Sequence, residues 1–221
     1  MKTKDELLTE EKHDFDSLVS IMDILRSDGG CPWDIEQTHH SIRKCLIEET
    51  YEVVEAIDSN DSKLLREELG DLLFQVMFHS RIESENSNFD IYDVIDDICS
   101  KMVYRHPHVF GTVEANTPDD VSKNWDDLKK KEKNYNKVSD SLKKVPPSLP
   151  ALIKAQKVIS KGEDRVGYTV DNAGISGETI PEKVFLLCAE AARKGIDLEK
   201  ELNLVTDKFI SCVVDGEVAL Y

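Results

Sequence analysis

The chain has 221 residues, enough to bury one or two cores, and sets 44 acidic side chains against 28 lysines and arginines for a net charge of −16. So negative a surface repels a phosphate backbone and argues against nucleic-acid binding, while a small polyanion fits only where metal ions first neutralise an acidic site. Five scattered cysteines without C-x-x-C spacing (Cys31, Cys45, Cys99, Cys188, Cys212) point to neither disulfides nor zinc, and the absence of a signal-like or membrane-length apolar run leads us to expect a soluble cytoplasmic protein with no membrane partner.

Phe15, Leu18, Val19, Met22 and Leu25 recur at helical spacing and predict a helix from Asp14 to Arg26, stopped by the glycine pair at 29 and 30. Pro32 and Trp33 then fall in a loop, with Asp34 as the expected cap of a long helix. That helix turns Ile42, Leu46, Val53 and Ile57 inward. Glu49 and Glu52, three residues apart, share a face at the edge of this arc and are expected to be partly buried, while Glu48 and Glu55 point away. The polar break at 59–62 is short, so the next helix is an antiparallel neighbour. It repeats the acidic spacing with Glu68 and Asp71. Leu69, Leu72, Leu73, Phe74, Val76, Met77 and Phe78 make it apolar on nearly every side, the pattern of a helix enclosed in a bundle.

Four carboxylates facing one another across such a pair cannot all stay ionised and unpaired. A lysine or arginine between them would answer the problem, and so would a hard divalent cation, for which an all-oxygen set is suited; glutamates on a helix are also often just a solvated face. The apolar character of the second helix favours the metal.

Farther on, Phe89–Arg105 is predicted helical, with Ile91, Ile95, Ile98 and Met102 on one side and Lys101 and Arg105 in its last turn. Pro107 and Gly111 break it, and Thr117 caps a charged helix bearing Trp125. Residues 136–150 are polar and proline-bearing and read as a linker between a first domain, 12–135, and a shorter helical region, 151–221. An echo links the two: Asp90, Ile91, Ile95, Ile98, Lys101 and Met102 match Asp197, Leu198, Leu202, Val205, Lys208 and Phe209 at one offset. With a shorter loop, Phe74 falls opposite Phe185, and Glu68 and Asp71 opposite Thr179 and Glu182. Chance similarity between amphipathic helices is the alternative.

Taken in order, CPWD, EQTH, LIEETYEVVEAI, LREELGDLLFQVMFHS, KMVYRHPHVFG and NWDDLKKKEK resemble the MazG family of nucleoside triphosphate pyrophosphohydrolases over about Leu18 to Lys133. The family signature, E-E-x-x-E followed by E-x-x-D, is met by Glu48, Glu49, Glu52, Glu68 and Asp71. The resemblance implies an all-α helical bundle of four to five helices, usually homodimeric, that cleaves a nucleoside triphosphate to the monophosphate and pyrophosphate with Mg²⁺, or Mn²⁺ in its place. It also implies that Glu49, Glu52, Glu68 and Asp71 hold the metal, that the segment Lys101 to Arg105 lies near the nucleotide, and that Trp125 lies near the base. The second half resembles a second copy found in longer members, but its E-E-x-x-E helix is missing and Thr179 replaces the first acid of E-x-x-D, so a degenerate repeat is expected.

The residues themselves leave several roles open. Glu48 is either a general base acting through a water or a solvated glutamate, and Arg43 and Lys44, about one turn earlier, are lesser phosphate candidates. Lys101 and Arg105 equally complement a helix C-terminus. Trp33 and Trp125 are each a buried plug or a platform for a base. His106 and His108 flank a structural turn, and the single E-x-x-H of Glu36 and His39 falls short of the doubled motif of a di-iron bundle. A helical module that binds nucleotide or a regulatory partner without turnover is the alternative to an enzyme.

Overall fold

The predicted helical signals come out as helices in the computed structural model, which describes residues 1–132, 138–167 and 169–218. In chain order these are α1 (Lys4–Thr9), α2 (Phe15–Leu25), α3 (Pro32–Glu36), α4 (Arg43–Ser59), α5 (Ser62–Glu85), α6 (Ile91–Arg105), α7 (Pro107–Phe110), α8 (Pro118–Glu132), α9 (Val138–Lys143), α10 (Ala151–Val166), α11 (Ile180–Arg193) and α12 (Leu198–Val218), with a 3₁₀ turn at Val170–Ala173. No strand occurs among the described residues, and no described helix is long and apolar enough to cross a membrane. The chain divides into two compact units, 1–114 and 115–221.

Local chemistry sets the helix ends of the first unit. Asp14 and Asp90 accept first-turn N–H groups of α2 and α6, and Ser17 and Asp93 return the bond to the cap backbone. After α2 the chain folds back so tightly that a Cβ on Gly30 would stand 2.3 Å from the Ile24 carbonyl, which leaves glycine alone able to fit. Asn60, left-handed at φ 57°, ends α4, and Asp61 accepts the N–H groups of Lys63 and Leu64 to start α5. Two residues thus reverse the chain, and α4 and α5 form the most extensive helix pairing of the unit.

The core gathers Met22, Ile42, Met77, Phe78, Ile82 and Ile91, with Phe15, Leu18, Val19, Phe74 and Val94 against it. Arg26 closes one end. Its guanidinium lies 5.1 Å from the centre of the Phe78 ring and takes both carboxylate oxygens of Glu85 in a bidentate grip at 2.7 and 2.9 Å.

Three expectations are corrected. Ile57 is 54% exposed, and the inward position near the turn belongs to Ala56 at 1%, because a two-residue connection brings α4 and α5 too close there for a larger side chain. Asp34 does not cap α4, which begins at Arg43 behind Ile42; Asp34 is buried within α3, and its carbonyl accepts a hydrogen bond from Arg26. Nor is α5 enclosed within its own unit: Leu69, Leu73 and Val76 stay exposed, as do Ile95 and Ile98 of α6, since no other helix of the first unit covers them.

In the second unit, α10 pairs with α11 around Ile159, Val170, Cys188 and Ala189. Within the stretch expected as linker, α9 packs against α10, and Ser141 and Val145 are buried. The Gln156 amide donates to the Ile196 carbonyl at 2.7 Å and accepts the Leu198 N–H at 3.2 Å, fastening the α11–α12 turn to α10. Asp197 accepts the Lys200 N–H at the start of α12, as Asp90 does for α6.

Removing the ring at the centre of the first core should be far costlier than trimming the misassigned isoleucine. In urea denaturation, Phe78→Ala is expected to lose about 3–5 kcal/mol and Ile57→Ala less than about 1 kcal/mol.

Candidate metal centre

The antiparallel pairing of α4 and α5 brings Glu49 of one helix against Glu68 and Asp71 of the other. One carboxylate oxygen of each lies within 4.8 Å of the other two. Glu49 and Glu68 are half-buried and Asp71 is exposed. Glu52, expected to be partly buried, is exposed, because it stands about 60° farther round α4 from the buried Val53 and Ala56 side than Glu49's edge position allows for burial. It remains close enough for its charge to act on Glu49.

Electrostatics records the crowding. Partial burial, then the charges of Asp71 and Glu52, push the Glu49 carboxyl above its ordinary value of 4.5. Burial, then Glu52 and Asp71, push Glu68 in the same direction. Among the described residues none of Glu49, Glu52, Glu68 and Asp71 has an ion-pair partner. An all-oxygen, net negative donor set without a neutralising side chain fits a hard divalent cation.

The other candidates are dispersed. Glu48 is exposed on the outer side of α4 and paired with Lys44 at 2.9 Å, one helical turn away. Lys101 is half-buried, Arg105 is buried as the last residue of α6, and Trp33 is exposed on α3. Trp125 is half-buried on α8, in the second unit. Thr179 and Glu182, opposite Glu68 and Asp71 in the internal echo, form a capping box at the start of α11: the Thr179 N–H donates to the Glu182 carboxylate at 3.1 Å, and Thr179 Oγ1 accepts the Glu182 N–H at 3.4 Å.

The sequence patterns did not disclose a polar cluster at the other end of α5. There His39 Nδ1 lies 2.7 Å from His79 Nδ1, and His39 Nε2 lies 2.6 Å from Glu83. The one local signal was the four-residue spacing of His79 and Glu83, which puts both on one helix face; His39 comes from the distant α3–α4 connection, and nothing local announces it.

The fold and site define an all-α protein with a cation-ready acidic helix pair. Residues 37–110 match the family model described as the MazG nucleotide pyrophosphohydrolase domain. The nucleoside triphosphate pyrophosphohydrolase/pyrophosphatase MazG of Thermotoga maritima is 45% identical over 189 residues, covering 86% of this chain and 71% of its own length. The nucleoside triphosphate pyrophosphohydrolase of Escherichia coli K12 is 39% identical over 192 residues, 85% of this chain and 73% of its own. The uncharacterized protein YabN of Bacillus subtilis is 49% identical over 154 residues, 68% of this chain but 31% of its own length. The chain belongs to the MazG family.

Because Glu49 and Glu68 hold protons above the ordinary 4.5 when folded, the folded state binds more protons than the unfolded one just above that pH, and stability falls as pH rises through this window. A cation that binds the deprotonated acids reverses the loss. Mg²⁺ or Mn²⁺ at about a hundred times Kd should therefore stabilise the protein by about 2.7 kcal/mol at neutral pH, with a smaller rise in melting temperature near pH 5. Glu68→Gln should show little rise at either pH.

Proposed function

We propose that the chain hydrolyses nucleoside triphosphates to the monophosphate and pyrophosphate, serving nucleotide-pool housecleaning, with the acids of α4 and α5 as its active centre. The observation that carries this reading is the convergence of Glu49, Glu68 and Asp71 within 4.8 Å, in a chain whose relatives at 45% and 39% identity are named for that hydrolysis. Glu49, Glu52, Glu68 and Asp71 supply the oxygen ligands, and Mg²⁺, or Mn²⁺ in its place, is the ion. When bound, the ion neutralises phosphate charge, favours ionisation of the attacking water and stabilises the departing pyrophosphate.

The side chains divide the remaining work. Water attacks phosphorus as the bond to the β-phosphate oxygen breaks, and the water's proton needs an acceptor. Glu48 is proposed as that acceptor, through a bridging water, once Lys44 leaves it for the substrate's phosphates. Lys101 and Arg105 are proposed phosphate contacts, and Trp33 and Trp125 platforms for the base. The functional domain is taken as 12–135, with 136–150 as linker and 151–221 as a degenerate second copy. That last assignment is supported by the capping role of Thr179 and Glu182 where the first copy has acids.

The protein is also proposed to act as a homodimer. Leu69, Leu73 and Val76 of α5 and Ile95 and Ile98 of α6 are exposed apolar side chains that a second copy would cover. Light scattering on Leu73→Lys is expected to give a monomer from a dimeric parent.

Products decide between turnover and simple binding. With Mg²⁺ and a panel of triphosphates, monophosphate and pyrophosphate should appear in equal amounts, and Glu49→Gln should lower kcat by about 100-fold or more, the loss of ~3 kcal/mol of transition-state stabilisation. Diphosphate and inorganic phosphate as products, or Mg²⁺-dependent nucleotide binding without turnover of any triphosphate, would leave the chain a binding module instead.

A further inference from the structure

The cluster at the C-terminal half of α5 is built differently from a metal site. The His39 and His79 rings are within 8° of parallel, and their centres are 5.0 Å apart. That distance is what a 2.7 Å Nδ1···Nδ1 contact leaves when one ring radius is added on each side, so both nitrogens lie close to the line between the centres. A line that holds the centre and a nitrogen of each ring lies in both ring planes. The imidazoles therefore meet edge to edge, head on, with room between them for one proton.

One neutral arrangement makes both short contacts hydrogen bonds and leaves no N–H without an acceptor. The buried Nε2 of His79 has no hydrogen-bond partner among the described residues, so a lone pair there costs less than an N–H. His79 then carries its proton on Nδ1 and donates it to His39 Nδ1. His39 in turn carries its own proton on Nε2 and donates it to Glu83. An added proton has no good place. On His39 Nδ1 it either meets the His79 N–H head on or drives that proton to His79 Nε2, a buried donor without an acceptor, and on His79 Nε2 itself it makes that donor charged as well. Facing the pair across a groove of about 540 Å³ are Leu46 of α4, Val76 and Ser80 of α5, and Phe89 and Val94 at and within α6, so Glu83 is the one other titratable group lining it.

We propose that Glu83, His39 and His79 form a proton-sensitive latch that fastens the α3–α4 connection to α5, closed while both imidazoles are neutral and opening on acidification. The connection has a second anchor with no proton to gain, Arg26, which donates to the Gln37 carbonyl at 3.2 Å and to the Asp34 carbonyl. The latch therefore frees the stretch between Gln37 and Ile42 while α3 stays held. His39 is 38% exposed, which gives solvent protons access. Burial, then the neighbouring His39, lowers the His79 value below the ordinary 6.5, so the latch's contribution is complete above that pH and is lost as pH falls below it.

Two measurements test this. Nitrogen-15 NMR of the wild-type histidines near pH 7.5 should show His79 neutral with its proton on Nδ1; a charged ring or an Nε2–H tautomer overturns the proposal. Hydrogen exchange of amides 38–42, corrected for intrinsic rate, should lose about tenfold in protection from about pH 7.5 to pH 5. In His79→Phe that protection should be low and independent of pH. Wild-type protection that does not change, or an equal loss in the variant, refutes the latch, and the NMR result stands alone if the variant does not fold.

Discussion

The structure turns on a repulsion. Two helices reversed by two residues at Asn60 and Asp61 must lie side by side, and each brings acids to the same stretch of the shared face. Partial burial, and then like charges this close, raise the carboxyls of Glu49 and Glu68. A fold gains nothing in stability from such an arrangement, because swapping any of these acids for a neutral side chain would relieve it. In a chain whose surface is already short of positive charge, such an all-oxygen group suits a compensating divalent ion, and under the proposed function that ion is also what brings a phosphate chain to an otherwise repellent surface.

What the amino-acid pattern could reveal follows from the range of the forces involved. The helices were legible because periodicity and caps act over three or four residues: Thr117 accepts the N–H of Asp120 as the cap it was read to be, while Asp14 and Asp90 cap helices that periodicity alone had announced. The convergence of Glu49 with Glu68 and Asp71 was legible because a short reversal converts sequence spacing into spatial proximity. Burial was less so. Ile57 is as hydrophobic as any core residue, but the close approach of α4 and α5 admits Ala56 instead, a matter of volume that periodicity does not carry. His39 was read against Glu36, four residues or fewer away, whereas its partners lie on α5, some forty residues on.

The second unit shows the same logic in reverse. Where the first copy would place E-x-x-D, the chain has Thr179 and Glu182, and both side chains are spent on the first turn of α11. A carboxylate that accepts a backbone N–H at a helix start is held ionised and turned toward that helix, and Glu182 lies below its ordinary value for this reason. Glu49 and Glu68 are pushed upward by burial and then by neighbours of their own sign; Glu182 is held down by a donor. The opposite directions separate acids gathered without a partner from one already satisfied.

Helix α5 reconciles strain with stability by dividing the two along its length. At 24 residues it is about 36 Å long, so its two ends experience separate surroundings. The N-terminal half carries Glu68 and Asp71 together with exposed Leu69 and Leu73, and little there repays burial within the chain. The C-terminal half carries Met77, Phe78 and Ile82 in the core, the Arg26 grip on Glu85, the Arg81–Asp23 pair at 2.9 Å and the histidine contact. Since a helix propagates order along its own hydrogen bonds, anchoring one half holds the other in register against α4. The repelling acids are thus kept together by contacts several turns away, and an acidic face suited to a cation can be presented without the site itself contributing to the fold.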